Sequence, residues 1–96
     1  MAYTIAWGQE AEENYHAIIS YLLDVYSFDV ADRFTESIMA KVTLLEHSPF
    51  IGQKLKSLPG VRKSVIQPHT TLYYSIIQEQ ICILNVLDSR RGDVIL

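Results

Sequence analysis

The stretch Ile81 to Arg91, ICILNVLDSRR, decides the fold. Six of its first seven residues are apolar, and they occupy both faces of an extended chain. A strand with one solvated face alternates apolar and polar residues, so a strand apolar on both faces lies centrally in a sheet or against a partner. Asp88, Ser89 and the adjacent pair Arg90-Arg91 then stand at the mouth of that strand.

Upstream lie two further runs of strand length and β-rich composition, VRKSVI (61–66) and TTLYYSII (70–77). Pro68 separates them, and Gln78-Glu79-Gln80 separates the second from the last strand. Three strands so closely spaced predict an antiparallel meander. Before Pro59-Gly60 the period changes from two to about 3.6. Ala31, Phe34, Ile38, Val42 and Leu45 mark one helical face, and Ala11, Tyr15, Ile18, Ile19, Leu22 and Tyr26 mark another. Asp29 is the expected N-cap of the second helix, with Asp32 adding negative charge to its first turn. Glu10, Glu12 and Glu13 do the same for the first helix. Pro49 and Gly52 end the second helix, and the segment from Gly52 to Gly60 reads as a loop carrying Lys54 and Lys56. Tyr3 to Trp7, YTIAW, reads as a first strand. The expected architecture is a single α+β domain over residues 1–96: a strand, an α-helical hairpin, then a three-stranded antiparallel meander, with the helices packed on one face of a curved sheet.

Composition supports a packed domain, with 49% hydrophobic and 20% charged residues where a disordered chain is poor in the former. No apolar run approaches the ~20 residues of a membrane span, and the N-terminus lacks a basic stretch followed by an apolar one. Cys82 is the single cysteine, which excludes an intrachain disulfide, and its neighbours give it the reading of a small buried hydrophobe. These features set the expectation of a cytoplasmic protein with no membrane contact. The net charge of −3 disfavours general nucleic-acid binding. The charge is unevenly distributed. Residues 1–47 hold eight acids and two bases, and residues 48–96 hold three acids and six bases. An acidic partner or a phosphate backbone is drawn to such a second half; ordinary solvated charge is the alternative reading.

Motifs for other chemistries are missing. There is no glycine-rich phosphate loop, no Cys-x-x-Cys pair and no His-x-x-x-His spacing, so no metal or cofactor is expected. His16 and His47 fall on helices, and Glu46 beside His47 points in a different direction from it. His69, at a strand junction, is the one histidine placed near the sheet rim. Tyr3, Trp7, Tyr73 and Tyr74 read as strand packing rather than base-stacking residues.

The order AEENYHAIISYL, SPFIGQKL, GVRKSVI, LYYSI, ICILNVLDSRR resembles the RelE/ParE superfamily of bacterial toxin–antitoxin toxins, over nearly the whole chain. The ending Asp88-Ser89-Arg90-Arg91 is similar to the ParE-like branch, with Gly92-Asp93 where an asparagine–proline or aspartate–proline pair is common. The resemblance implies a toxin held inactive in a hetero-oligomer with a cognate antitoxin. For the ParE-like branch it implies poisoning of DNA gyrase by protein binding. For the RelE-like branch it implies cleavage of messenger RNA on the ribosome, and a decayed toxin kept as an antitoxin-bound module is the third reading. Cleavage through the 2′-hydroxyl requires a proton acceptor, a proton donor and cations. Lys54, Lys56, Arg62, Arg90 and Arg91 supply cations, but no tyrosine or histidine follows Tyr74. The expectation is therefore no catalytic residue. Arg62, Arg90, Arg91, Lys54 and Lys56 are the recognition candidates, with Asp88 as support. Arg62 occupies a place where the family pattern has an arginine; its alternative is an ion pair with an acidic helix. On an extended segment Arg90 and Arg91 would point to opposite sides, one pinned by Asp88 or Asp93 and the other facing a partner.

Overall fold

The computed structural model describes residues 2–94. The chain runs through β1 (Thr4–Trp7), α1 (Gln9–Val25), α2 (Phe28–His47), β2 (Gln53–Lys54), β3 (Arg62–Ile66), β4 (Thr70–Ile77) and β5 (Gln80–Asp88). A short 3-10 turn, Ser89–Arg91, follows. The strands form one sheet in the order β1-β5-β4-β3-β2. The α+β class and the helical hairpin on one face agree with the sequence reading.

Two features of the sheet differ from that reading. β2 is a strand inside what the sequence presents as a loop; its two residues pair antiparallel with β3, Gln53 opposite Lys63 and Lys54 opposite Arg62. So short a strand has no apolar alternation to reveal it. The sheet is also mixed. β1 runs parallel to β5, with Thr4 opposite Gln80 and Trp7 opposite Ile83, while the other neighbours are antiparallel.

β5 does lie inside the sheet, between β1 and β4. Part of its two-faced apolar pattern has a further cause. Tyr73 pairs with Asn85 and Tyr74 with Ile83, which leaves Leu84 without a partner on β4. One unpaired residue is a β-bulge, and it switches the parity of the strand. Ile81 and Ile83 before it, and Val86 after it, are therefore all fully buried. Cys82 is only half-buried, contrary to its sequence reading, because it lies on the other parity.

The helices seal the buried face. Ala11, Ile18 and Leu22 of α1 and all five expected residues of α2 are buried against Leu72, Tyr74, Ile81, Ile83 and Val86. Tyr15 and Ile19 pack at the margin, whereas Tyr26, at the end of α1, is about half exposed. α2 starts two residues earlier than the sequence indicates. Ser27 is its N-cap, and its hydroxyl oxygen accepts the Val30 amide at 3.2 Å, so Asp29 falls within the first turn instead of capping it. A serine hydroxyl caps as well as a carboxylate does, and the choice is made by where the preceding turn leaves the chain.

The turn after α2 is fixed by one buried hydroxyl. Tyr74 Oη donates to the Pro49 carbonyl at 2.7 Å and accepts the Gly52 amide at 2.9 Å. Burial pushes the Tyr74 phenol above its ordinary value, against smaller opposing effects of the Gly52 bond and Arg62. Gly52 is needed for close approach: a Cβ there would run into the Tyr74 hydroxyl and ring and the Lys63 carbonyl. Tyr74→Phe strands a buried amide and a carbonyl, and urea unfolding is expected to show a loss of about 1–3 kcal/mol. Gly52→Ala is expected to lose at least as much by the same measurement, through displacement of that hydroxyl.

Candidate functional site

The end of β5 is an interlocked set of charges. Asp88 is fully buried. Its carboxylate accepts the Thr70 hydroxyl at 2.8 Å, the Arg90 amide at 2.9 Å, and the Arg90 guanidinium through Nε at 3.0 Å and Nη2 at 2.8 Å. The bond to the Arg90 amide makes Asp88 the N-cap of the 3-10 turn. Gly92, at φ +88°, ends that turn in the left-handed region that glycine adopts without steric cost. Beyond it Asp93 folds back. Arg91 reaches its carboxylate through Nε at 3.1 Å and Nη2 at 2.9 Å, and the same carboxylate accepts the Asp88 amide at 2.9 Å.

The arginines therefore do not emerge on an extended segment. A 3-10 turn replaces it, and each guanidinium grips its own carboxylate, with side-chain exposures of 17% for Arg90 and 19% for Arg91. Burial alone would push the Asp88 carboxyl up, but the bonds from the Arg90 side chain, Thr70 and the Arg90 amide outweigh it and hold the group below its ordinary range. The Asp88 bond in turn keeps the Arg90 guanidinium firmly charged.

The remaining candidates gather elsewhere. Arg62 donates through Nη1 to the Gly52 carbonyl at 2.8 Å and the Phe50 carbonyl at 3.2 Å, and lies 5.2 Å over the Phe50 ring. It forms no ion pair with an acidic helix among the described residues; the carbonyls of the post-α2 turn occupy it instead. Arg62, Lys54, Phe50, Leu55 and Val61 line one groove, and Lys56 is exposed two residues beyond Lys54. The two groups of cations do not converge. Arg62 is level with Tyr74, and Asp88 with Thr70. Those levels lie four residues apart on β4, about 13 Å at ~3.3 Å per residue.

A second basic cleft lies beside Asp88. Arg33, His69 and Arg90 line it, between α2 and the β3–β4 turn. The His69 ring stands 3.3 Å from the Ser89 hydroxyl through Nδ1. Arg33 is absent from the sequence-level candidates. Its signal was present, as one of two bases among the first 47 residues, but only the packing of α2 on the sheet shows what it faces. His16 and His47 are exposed and far apart on the two helices. Among the described residues no cluster of His, Cys, Asp and Glu is placed to hold a metal ion, and no helix is long and apolar enough to cross a membrane.

The Asp88 cluster makes a pH prediction whose sign is fixed. A carboxyl held below its unfolded value of about 3.9 contributes stability that is complete above that value and is lost as pH falls through its folded value. Unfolding free energy is therefore expected to hold from pH 7 to about 5 and to decline below about 4. Asp88→Asn is expected to lose on the order of 2 kcal/mol at pH 7 and to flatten that acid limb, as read by urea titrations across the range.

Comparisons with known proteins agree with this fold. The model of the ParE toxin of the parDE type II toxin–antitoxin system matches residues 5–92. No curated protein matches the chain in sequence. Among solved structures, the chain is similar to the chromosomal ParDE toxin–antitoxin system from P. aeruginosa, with a TM-score of 0.77 at 18% identity, covering 91% of this chain and 96% of that one. The toxin–antitoxin complex RelBE2 from Mycobacterium tuberculosis gives 0.64 at 18% identity, covering 92% and 99%. The YoeB dimer from Staphylococcus aureus gives 0.65 at 19% identity, covering 91% and 97%. The shared fold spans RelE-like and ParE-like members, and the family match extends from β1 through the 3-10 turn that carries Arg90 and Arg91: the chain belongs to the ParE toxin family of type II toxin–antitoxin systems.

Proposed function

We propose that this toxin acts in the ParE manner, by binding DNA gyrase as a protein inhibitor, and that a cognate antitoxin neutralises it in a hetero-oligomeric complex. The observation that carries this reading is the state of the cations. Arg90 and Arg91 are each committed to a carboxylate, and Arg62 to backbone carbonyls. Phosphoryl transfer from RNA needs several cations aimed at one developing charge, with an acid and a base beside them. Here Arg62 and Lys54 stand at one end of the sheet and Arg33 and Arg90, with His69, at the other, so neither cleft gathers more than two of these cations. Guanidiniums with fixed rotamers suit a different task. They lose little entropy when a protein surface docks on them, and a rigid base positions them for it. The family match and the similarity to a ParDE system support the same direction.

The partner proposal draws on the charge split. The more basic half of the chain carries four of the five strands, and Phe50, 59% exposed, lies against Arg62 there. Exposed apolar groups beside cations suit an amphipathic, acidic segment that folds as it binds.

Induced expression in a bacterium separates the functional readings. Gyrase poisoning is expected to raise a DNA-damage response while messenger RNA stays intact, and purified toxin is expected to inhibit gyrase supercoiling. Cut messenger on ribosomes would instead establish the RelE-like ribonuclease reading. Growth unaffected at full expression, with antitoxin binding retained, would identify a decayed toxin. Arg91→Ala is the cleaner probe of the arginines, since Arg90→Ala also abandons the buried Asp88 carboxylate. Loss of a recognition arginine is expected to cost about 2 kcal/mol or more, roughly 30-fold in affinity for gyrase. Unchanged killing by Arg91→Ala at equal protein level would remove that residue from the recognition surface.

A further inference from the structure

The cleft between α2 and the β3–β4 turn has a one-sided chemistry. Arg33, Arg90 and His69 line it, and no carboxylate does. Asp88 stands behind Arg90 with its oxygens already taken by Thr70 and Arg90. Arg90 uses Nε and Nη2 on that carboxylate, which leaves Nη1 as a donor without a bond among the described residues. Arg33 is exposed, and its contact is a long 3.4 Å bond from Nε to the Asp29 carbonyl. It forms no ion pair among the described residues, although its helix is acidic. The rest of the lining is mixed: Val30, Phe34, Ile66 and Pro68 are apolar, and Ser37, Gln67 and Thr70 are polar but uncharged. Asp88 already offsets part of the Arg90 charge, so the free Nη1 and the Arg33 guanidinium are the donors left to hold an anion there.

We propose that this cleft receives an acidic side chain of a partner peptide, its carboxylate held by Arg33 and by Nη1 of Arg90. The apolar side chains next to it in the peptide rest on Val30, Ile66 and Pro68. The inference rests on the antitoxin reading above only for which protein carries the segment. A guanidinium pairs well with carboxylate and with phosphate, so the surroundings decide between them. Asp29, Asp32 and Glu36 lie within about one turn of Arg33 and are exposed. A nucleic-acid backbone brings several charges and would meet those three acids. A single carboxylate flanked by apolar groups meets the two arginines and the apolar floor. Nη1 of Arg90 is pre-oriented, because Asp88 fixes the rest of that guanidinium.

The test uses the intact toxin with the small protein encoded beside it, and with 15-residue peptides that tile that protein. Amide and side-chain NMR signals of the toxin report where each peptide sits. An acidic peptide is expected to shift signals of Val30, Arg33, Phe34 and Ile66. Replacing its glutamates or aspartates by the amides is expected to weaken it about tenfold or more, and toxin Arg33→Ala to weaken it similarly. Arg33→Glu is expected to weaken it further, with thermal unfolding lowered only slightly by its like-charge neighbours Asp29 and Glu36, and Arg33→Ala, which adds no charge, serves as the control. If the complex forms but Arg33→Glu binds as tightly as the parent, and no peptide reaches the cleft, this inference is overturned while the antitoxin reading stands. If no complex forms at all, both fall. Inorganic phosphate or a short single-stranded RNA that shifts the same signals more tightly than any peptide would overturn the carboxylate assignment.

Discussion

The parallel pairing of β1 with β5 cannot be made by a turn. Two parallel neighbours need a long crossover, and here nearly the entire chain lies between them. That single constraint arranges the rest. The chain must leave β1 over one face of the sheet, and α1 and α2 are the cover it lays down there. β5 then enters last, into a slot whose two sides are β1 and β4. Its apolar residues have nowhere else to go, and the bulge at Leu84 keeps the buried set facing the helices on both sides of that residue. The side chain of Asn14 on α1 reaches Asn85 on β5 at 2.6 Å, next to the bulge, which ties the first helix to the last strand.

The same arrangement places a charge where charges are rarely found. Asp88 ends β5 at full burial, a position that is tolerable only because its oxygens are filled by Thr70 across the sheet and by Arg90 ahead in sequence. One carboxylate thus joins β4, β5 and the C-terminal turn. Asp93 repeats the device on a smaller scale with Arg91 and the Asp88 amide. The arginines of this ending are structural clamps first. Both guanidiniums are thereby oriented and partly neutralised.

At the other end of the sheet Arg62 has the parallel role. It gathers the carbonyls of the post-α2 turn, stacks on Phe50, and stands opposite Lys54 in the β2–β3 pair. The two basic regions are separated along β4, so the sheet offers two distinct polar anchors with Phe50 exposed beside the first and Arg33 beside the second.

Local chemistry determined much of this protein. The five apolar residues of α2 were legible because a helix repeats every 3.6 residues and all five face one way. The strand meander was legible from β-rich runs broken by Pro68 and by Gln78-Glu79-Gln80. The order of these segments also carried the family. What the tertiary structure decided are contacts between residues remote in sequence, or turns set by a few backbone angles. β2 exists only because β3 lies beside it. Arg33 belongs to a cleft only because α2 packs next to the β3–β4 turn. The arginine pair was visible in sequence, but its geometry was not. An extended exit would have left one arginine free, whereas Asp88 capping a 3-10 turn and Gly92 closing it at positive φ bring both guanidiniums back onto carboxylates. Residue types revealed which charges stand near the end of the chain, and the fold of the backbone determined that they meet one another.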